Sequence, residues 1–159
     1  TGQQEKALRL YEEAMRVRPE DYQAPLLMAQ IYDDLGRGEE GAAARRRGVE
    51  NAEEHLRLNP DDVRAVYMAA NGLAALGEHE RSRQWADRAL AMRPNDSMLL
   101  YNLGCIYAML GLTGEALDCL EKAADVGLMQ KGWLEHDSNL APLRPHPRFQ
   151  ALLNRVAAV

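Results

Sequence analysis

Phenylalanine occurs once in this 159-residue chain, at Phe149, and tryptophan only twice, at Trp85 and Trp133. The apolar content is carried instead by Ala and Leu, which is helix-rich usage. Cysteine is scarce as well. Cys105 and Cys119 form no disulfide framework, and such sparing use suits a reducing compartment. An excess of positive charge is lacking: 19 Lys and Arg against 24 Asp and Glu leave a net charge of −5. A nucleic-acid binder needs clustered cations for the phosphate backbone, so that partner class is excluded as an expectation. No run approaches the length of a membrane span and no signal peptide is visible, so a cytoplasmic location without membrane contact in this segment is expected. What is present is 47% hydrophobic and 27% charged residues, a balance that folds. The length allows one ordinary domain or a short repeat array.

Three short stretches share one form: VRPEDYQA (17–24), LNPDDVRAV (58–66) and MRPNDSML (92–99). Each ends an apolar helical run at a proline and restarts another behind an aspartate. From Pro60 to Pro94 is 34 residues, another 34 reaches Leu128, and Pro19 to Pro60 is 41, or 34 plus 7. A fixed period in this range marks a repeat architecture. Seven residues make close to two helical turns, so an insertion of that size keeps a buried face pointing the same way. It is expected within residues 39–58, as one lengthened second helix.

Within the period the residues describe helix pairs. Leu100, Leu103, Gly104 and Tyr107 stand at i, i+3, i+4 and i+7, one face of a helix. Gly111 ends it, and residues 115–124 run as a second helix with Ala116, Leu120 and Ala123 inward. Gly104 and Ala116 leave room for two antiparallel backbones to approach. The hinge aspartates accept from free N–H groups at helix starts. Pro25 falls in a first turn, where proline is tolerated.

These residues resemble the tetratricopeptide repeat family, whose pattern appears as Leu100-x2-Leu103-Gly104-x2-Tyr107 and then Ala116-x3-Leu120. A fainter copy runs through Val66, Ala69, Ala70, Leu73, Ser82, Ala86, Ala89 and Pro94. Pro25, Met28, Ala29 and Tyr32 begin a third, while Ala7, Tyr11, Ala14 and Pro19 match a second helix alone. The resemblance implies an all-α, right-handed superhelical solenoid of antiparallel helix pairs with a C-terminal helical cap. The expected divisions are a half repeat at 1–20, repeats at 21–61, 62–95 and 96–128, and capping helices at 129–159. The opening residues read as a helix entered partway, as if cut from a longer chain.

The tail breaks the pattern, with Pro142, Pro145 and Pro147 crowding its middle. It resembles the closing segment of bacterial tetratricopeptide regions behind adenylate-cyclase, protein-kinase or winged-helix regulatory domains. The matching residues are Trp133, Asp137, Leu140, Leu143-Arg144, Pro147-Arg148-Phe149 and Leu152-Leu153. Physically, the last pair of a solenoid needs an apolar cover. Trp133, Leu140, Leu143, Phe149 and Leu152 supply it, with Pro147 opening a final helix.

The family lines its concave side with the first helix of each pair. The resemblance places there Gln23, Leu26, Gln30 and Asp33, then Arg64, Tyr67 and Asn71, then Met98, Tyr101, Asn102, Cys105 and Met109. Tyr and Met make an adaptable apolar patch, and the amides of Asn71 and Asn102 suit a peptide backbone. The implied partner is a protein or peptide segment, bound by one part of a larger bacterial signalling or regulatory protein. Two further roles remain open: a homodimer through the N-terminal half repeat, by an uncovered Leu8/Tyr11/Met15 side, and a regulatory arm of an enzyme whose catalytic domain lies upstream. The carboxylate clamp that some members use needs cations. Here Tyr67 takes the place of its first Lys, and Glu135 and Asn139 stand where bases belong, which disfavours it.

Arg45-Arg46-Arg47 lies among Glu39, Glu40, Glu50, Glu53 and Glu54 and reads as a solvated helix face. His55, His79, His136 and His146 are scattered without metal-ligand spacing, and no nucleophile elbow or phosphate loop occurs. Neither catalysis, cofactor nor metal is expected of these residues, and both cysteines read as packing groups.

Overall fold

A hinge aspartate accepts from free backbone N–H groups at the start of three helices in the computed structural model, which describes residues 2–127 and 130–157. The chain runs α1 (Gly2–Val17), α2 (Gln23–Asp34), α3 (Gly38–Leu58), α4 (Val63–Ala75), α5 (His79–Met92), α6 (Ser97–Met109) and α7 (Thr113–Val126). Then follow α8 (Lys131–His136), a 3₁₀ segment (Ser138–Leu143) and α9 (Pro147–Ala157). No strand occurs among the described residues. Asp62 caps α4 by accepting from the N–H groups of Arg64 and Ala65 at 3.0 and 3.2 Å, and Asp96 caps α6 from Leu99 at 3.0 Å. Asp21 accepts from Ala24 at 2.8 Å in the first turn of α2. Leu128, where the next hinge is expected, lies outside the described residues.

The first helices end on a shared device. Gly36, Gly77 and Gly111 have φ of 71°, 78° and 73°, a left-handed conformation that only glycine adopts without strain. The N–H of the next residue reaches back five positions, from Arg37 to Tyr32, Glu78 to Leu73 and Leu112 to Tyr107, at 2.8–2.9 Å. Each is a Schellman closure, and it turns the chain into the second helix. The glycines are 41 and 34 residues apart, as the prolines are. Every first-helix half therefore has one length, and the insertion falls wholly in α3. That helix has 21 residues against 14 in α5 and in α7.

Two compact units divide the chain within α5, at residues 1–82 and 83–159. In the first, Leu8, Met28 and Tyr32 are buried together, with Tyr11, Met15, Ile31, Leu35 and Ala44 packed on them. Leu8, Tyr11 and Met15 are therefore covered by α2 and α3, which corrects the expectation of an open side there. Gly48 allows α3 to press on α2: a Cβ on it would lie 2.5 Å from Leu26 Cγ. Asn51 holds the hinge by donating to the Pro19 and Asp21 carbonyls, both at 2.9 Å.

In the second unit α6 and α7 nest through Gly104, where a Cβ would stand 2.7 Å from Leu120 Cγ. Leu100, Leu103, Ala116, Leu120 and Ala123 are fully buried. The tail caps this pair as expected, with Leu140, Leu143, Phe149 and Leu152 buried, joined by Leu134. Arg148 ties α9 to α7 through Asp118 at 2.7 Å and Glu121 at 2.8 Å, and Arg155 adds Asp125 at 2.9 Å. The Trp133 ring packs on Tyr101 with centroids 5.5 Å apart.

Candidate binding faces of the first helices

In the first unit α2 and α4 lie side by side. Their inward faces are closed by Leu26, Met28 and Ala29 on one and Val66, Ala69, Ala70 and Leu73 on the other, all buried. Gln30 and Arg64 project into solvent, while Gln23, Tyr67 and Asn71 are half-buried beside them. Leu26 does not join this surface. It is 6% exposed and fills the space left by Gly48 and Gly72, so its place is in the core. Asp33 is exposed but forms an ion pair with Arg45 of α3. Arg45 is thus committed to α2 rather than solvated, unlike the exposed Arg46 and Arg47.

In the second unit the residues expected on α6 separate into two groups. Met98 is 52% exposed, and Asn102 and Met109 are half-buried. The Asn102 amide donates to the Met98 carbonyl one turn back, at 2.8 Å. Tyr101 and Cys105 face the cap instead. Tyr101 donates its hydroxyl to Asp137 Oδ2 at 2.9 Å, and the Cys105 thiol contacts the same oxygen at 3.5 Å. Burial, reinforced by Asp137 and, for Tyr101, by Cys105, pushes both groups' pKa values well up, although the Tyr101 hydroxyl works against this at Cys105. Cys105 is 5% exposed, so a ligand on the α6 surface does not reach its sulfur. The spacing that marked a helical face was sound. What it could not show is that the cap segment closes one edge of that face.

Two polar centres were not anticipated. Asp137 serves α6 through Oδ2 and the 3₁₀ segment through Oδ1, which accepts from Asn139 N–H at 2.9 Å. Asp62 adds to its capping bonds the Tyr22 hydroxyl at 3.2 Å and the His55 ring at 2.8 Å. One carboxylate therefore joins the start of α2, the end of α3 and the start of α4. Burial opposes its charge, but the Ala65, His55 and Tyr22 hydrogen bonds outweigh that and hold its pKa below the usual value. His55 looked isolated because its partner lies across the hinge, seven residues on. Among the described residues no group of His, Cys, Asp and Glu is arranged to hold a metal, and no helix is long and apolar enough to cross a membrane.

Two tetratricopeptide repeat models match the chain, over residues 45–97 and residues 85–118. No curated protein matches. Among solved structures the chain is similar to MamA. One MamA crystal structure is 16% identical with a TM-score of 0.53, over 99% of this chain and 93% of that one. MamA from residue 41 to its end, from Desulfovibrio magneticus RS-1, is 20% identical with a TM-score of 0.56, over 99% and 85%. A MamA RS-1 ArsTM double mutant gives 19% and 0.55, over 98% and 84%. At such identities the likeness is one of fold. The fold is accordingly all-α and of the tetratricopeptide type, with repeat-family matches spanning the hinges at Pro60 and Pro94.

Proposed function

We propose that this chain is a protein-interaction scaffold that binds a peptide or protein segment on the exposed faces of its first helices, the side that the tetratricopeptide resemblance makes concave. The observation that carries this reading is the contrast on α4. Val66, Ala69, Ala70 and Leu73 are wholly buried, while Arg64, Tyr67 and Asn71 on other faces remain accessible in part or fully. A helix anchored so firmly on one side presents its remaining side chains with little entropy left to lose on binding. Tyr67 offers an apolar anchor with a polar tip, Asn71 both a donor and acceptors for an extended backbone, and Arg64 and Gln30 a polar rim. On α6 the corresponding surface is Met98, Asn102 and Met109. The tail's behaviour as a helical cap supports its likeness to bacterial regulatory tetratricopeptide regions. A place in a larger cytoplasmic signalling or regulatory protein goes with that likeness, as do repeat boundaries at 21–61, 62–95 and 96–128.

The test is a comparative pull-down with the native chain and a Tyr67→Ala/Asn71→Ala variant whose helicity is first matched by circular dichroism. Loss of a buried tyrosine anchor typically costs about 2 kcal/mol or more, some thirtyfold in affinity. A partner retained by the native chain and lost by the variant supports the α4 face. Equal retention by both, or no partner for either, overturns it.

A further inference from the structure

The cap is held on α6 unevenly. Its 3₁₀ segment and α9 are anchored by Leu140, Leu143, Phe149 and Leu152, all buried. The anchoring of α8 is lighter. Within that helix Leu134 alone is buried, Trp133 is half-buried, and Lys131, Gly132, Glu135 and His136 are exposed. So short a helix does not sustain itself and depends on its contacts. Those contacts converge on one residue of α6. The Trp133 ring packs on Tyr101, and the Tyr101 hydroxyl donates to Asp137, the residue that ends α8. The Asp137 carbonyl accepts from Arg144 Nη2 at 3.1 Å. The same guanidinium keeps its Nε buried with no hydrogen-bond partner. An unmet donor beside the anchor is a cost that any loosening of this corner relieves.

We infer that α8 is a strap over the α6 face, which opens by local unfolding while the 3₁₀ segment and α9 stay in place. The inference rests on the reading of the first-helix faces as the ligand surface, and it gives that surface a regulated part. Closed, α6 offers Met98, Asn102 and Met109. Open, it adds Tyr101 and Cys105, which completes the set spaced along one side of the helix. The burial of Leu134 keeps the closed state the majority one. A ligand that needs Tyr101 competes with the strap, and its affinity is reduced by the fraction of chains that are open. To replace what the strap supplies, such a ligand brings a ring for the Tyr101 face and a carboxylate for its hydroxyl. In the strap itself these groups are Trp133 and Asp137, one helical turn apart.

The test follows iodoacetamide labelling of both thiols in the 159-residue chain over hours rather than in a brief pulse, read by peptide mass. Cys119 of α7 is the internal reference, because its thiol is influenced by Asp118, Lys122 and Asp87 and not by Asp137. Cys105 should react about tenfold faster than Cys119 or more, at a rate nearly flat up to about 1.5 M urea, because opening one short helix exposes little surface. Cys119 should show a steep urea dependence, since it is reached by unfolding of the α6–α7 pair. Gly132→Ala adds a helix-favouring residue where only the His136 ring comes within 4.0 Å. It should slow Cys105 by about threefold and leave Cys119 unchanged. Equal rates with a shared urea dependence overturn the inference, as does a Cys105 rate indifferent to Gly132→Ala. Labelling of Cys105 within seconds overturns it too, because nothing then covers the thiol. The labelling needs no ligand, so its outcome is separate from that of the pull-down on α4.

Discussion

Adding one methyl group at Gly104 sets two effects of known size against each other. Alanine is favoured over glycine within a helix by about 1 kcal/mol, so Gly104→Ala should stabilise α6 if nothing lay nearby. The new Cβ would stand 2.7 Å from Leu120 Cγ, 2.8 Å from its Cδ2 and 3.3 Å from the Ala116 carbonyl oxygen. Leu120 is fully buried and cannot swing into solvent, and the Ala116 oxygen is backbone. Overpacking of this kind costs about 1–3 kcal/mol, here toward the upper end because two atoms are crowded at once. The net expectation is a loss of about 2 kcal/mol, a fall in Tm of about 4–8 °C for a chain of this length. Urea unfolding followed by far-UV circular dichroism measures it. Leu120→Ala alone should cost about 2–5 kcal/mol by opening a cavity. In the double variant the methyl group introduced on α6 enters that space, so the combined loss should fall short of the sum by about 2 kcal/mol. Gly114→Ala, with no atom within 4 Å of its Cβ, serves as the control and should be neutral or stabilising. A neutral Gly104→Ala, or strict additivity with Leu120→Ala, would refute the close approach of α6 and α7 at this point.

Two further outcomes follow from the buried polar groups. The folded pKa of Asp62 lies below its unfolded value, so its stabilisation is complete above the unfolded pKa of about 4 and is lost as pH falls through the folded one. Asp62→Asn keeps a capping oxygen but removes the titration, so it should be less stable than the native chain at pH 7 and draw level as pH drops below about 4; equal pH profiles in urea melts would contradict this. Cys105 is almost inaccessible, and burial drives its thiol pKa up, while Cys119 is pushed up to about 11. Iodoacetamide at pH 7.5 should therefore label neither in the folded chain and both in urea, read by intact mass; rapid native labelling of Cys105 would return it to the ligand-accessible face.

Much of this fold is legible because its period is written twice. Prolines at 19, 60 and 94 and glycines at 36, 77 and 111 each repeat at 41 and then 34 residues. Proline ends a second helix because it cannot continue the hydrogen-bond ladder, and glycine ends a first helix because only it turns left-handed freely. The glycine series locates the seven-residue insertion in α3 more sharply than the prolines do, since the proline-to-glycine interval is constant. The tail was harder. Its helices are short and interrupted, so periodicity could not place Leu134 in the core, and the identity of Asp137's partners depends on how the 3₁₀ segment folds back on α6.

The candidate site was less legible than the fold for one reason that recurs at three residues. Helical spacing gives the direction of a side chain from its own axis, but not which neighbour stands there. Leu26 shares a face with Gln23 and Gln30, yet it points where Gly48 and Gly72 have vacated space, and an apolar side chain beside two glycines belongs to packing. Tyr101 and Cys105 share a face with Met98 and Asn102, yet a carboxylate 32 residues on occupies one edge of it. The same reasoning moves the open side of α1. Leu8 and Met15 point where α2 and α3 stand and are covered, whereas Leu10 and Val17, on another side of α1, are left exposed.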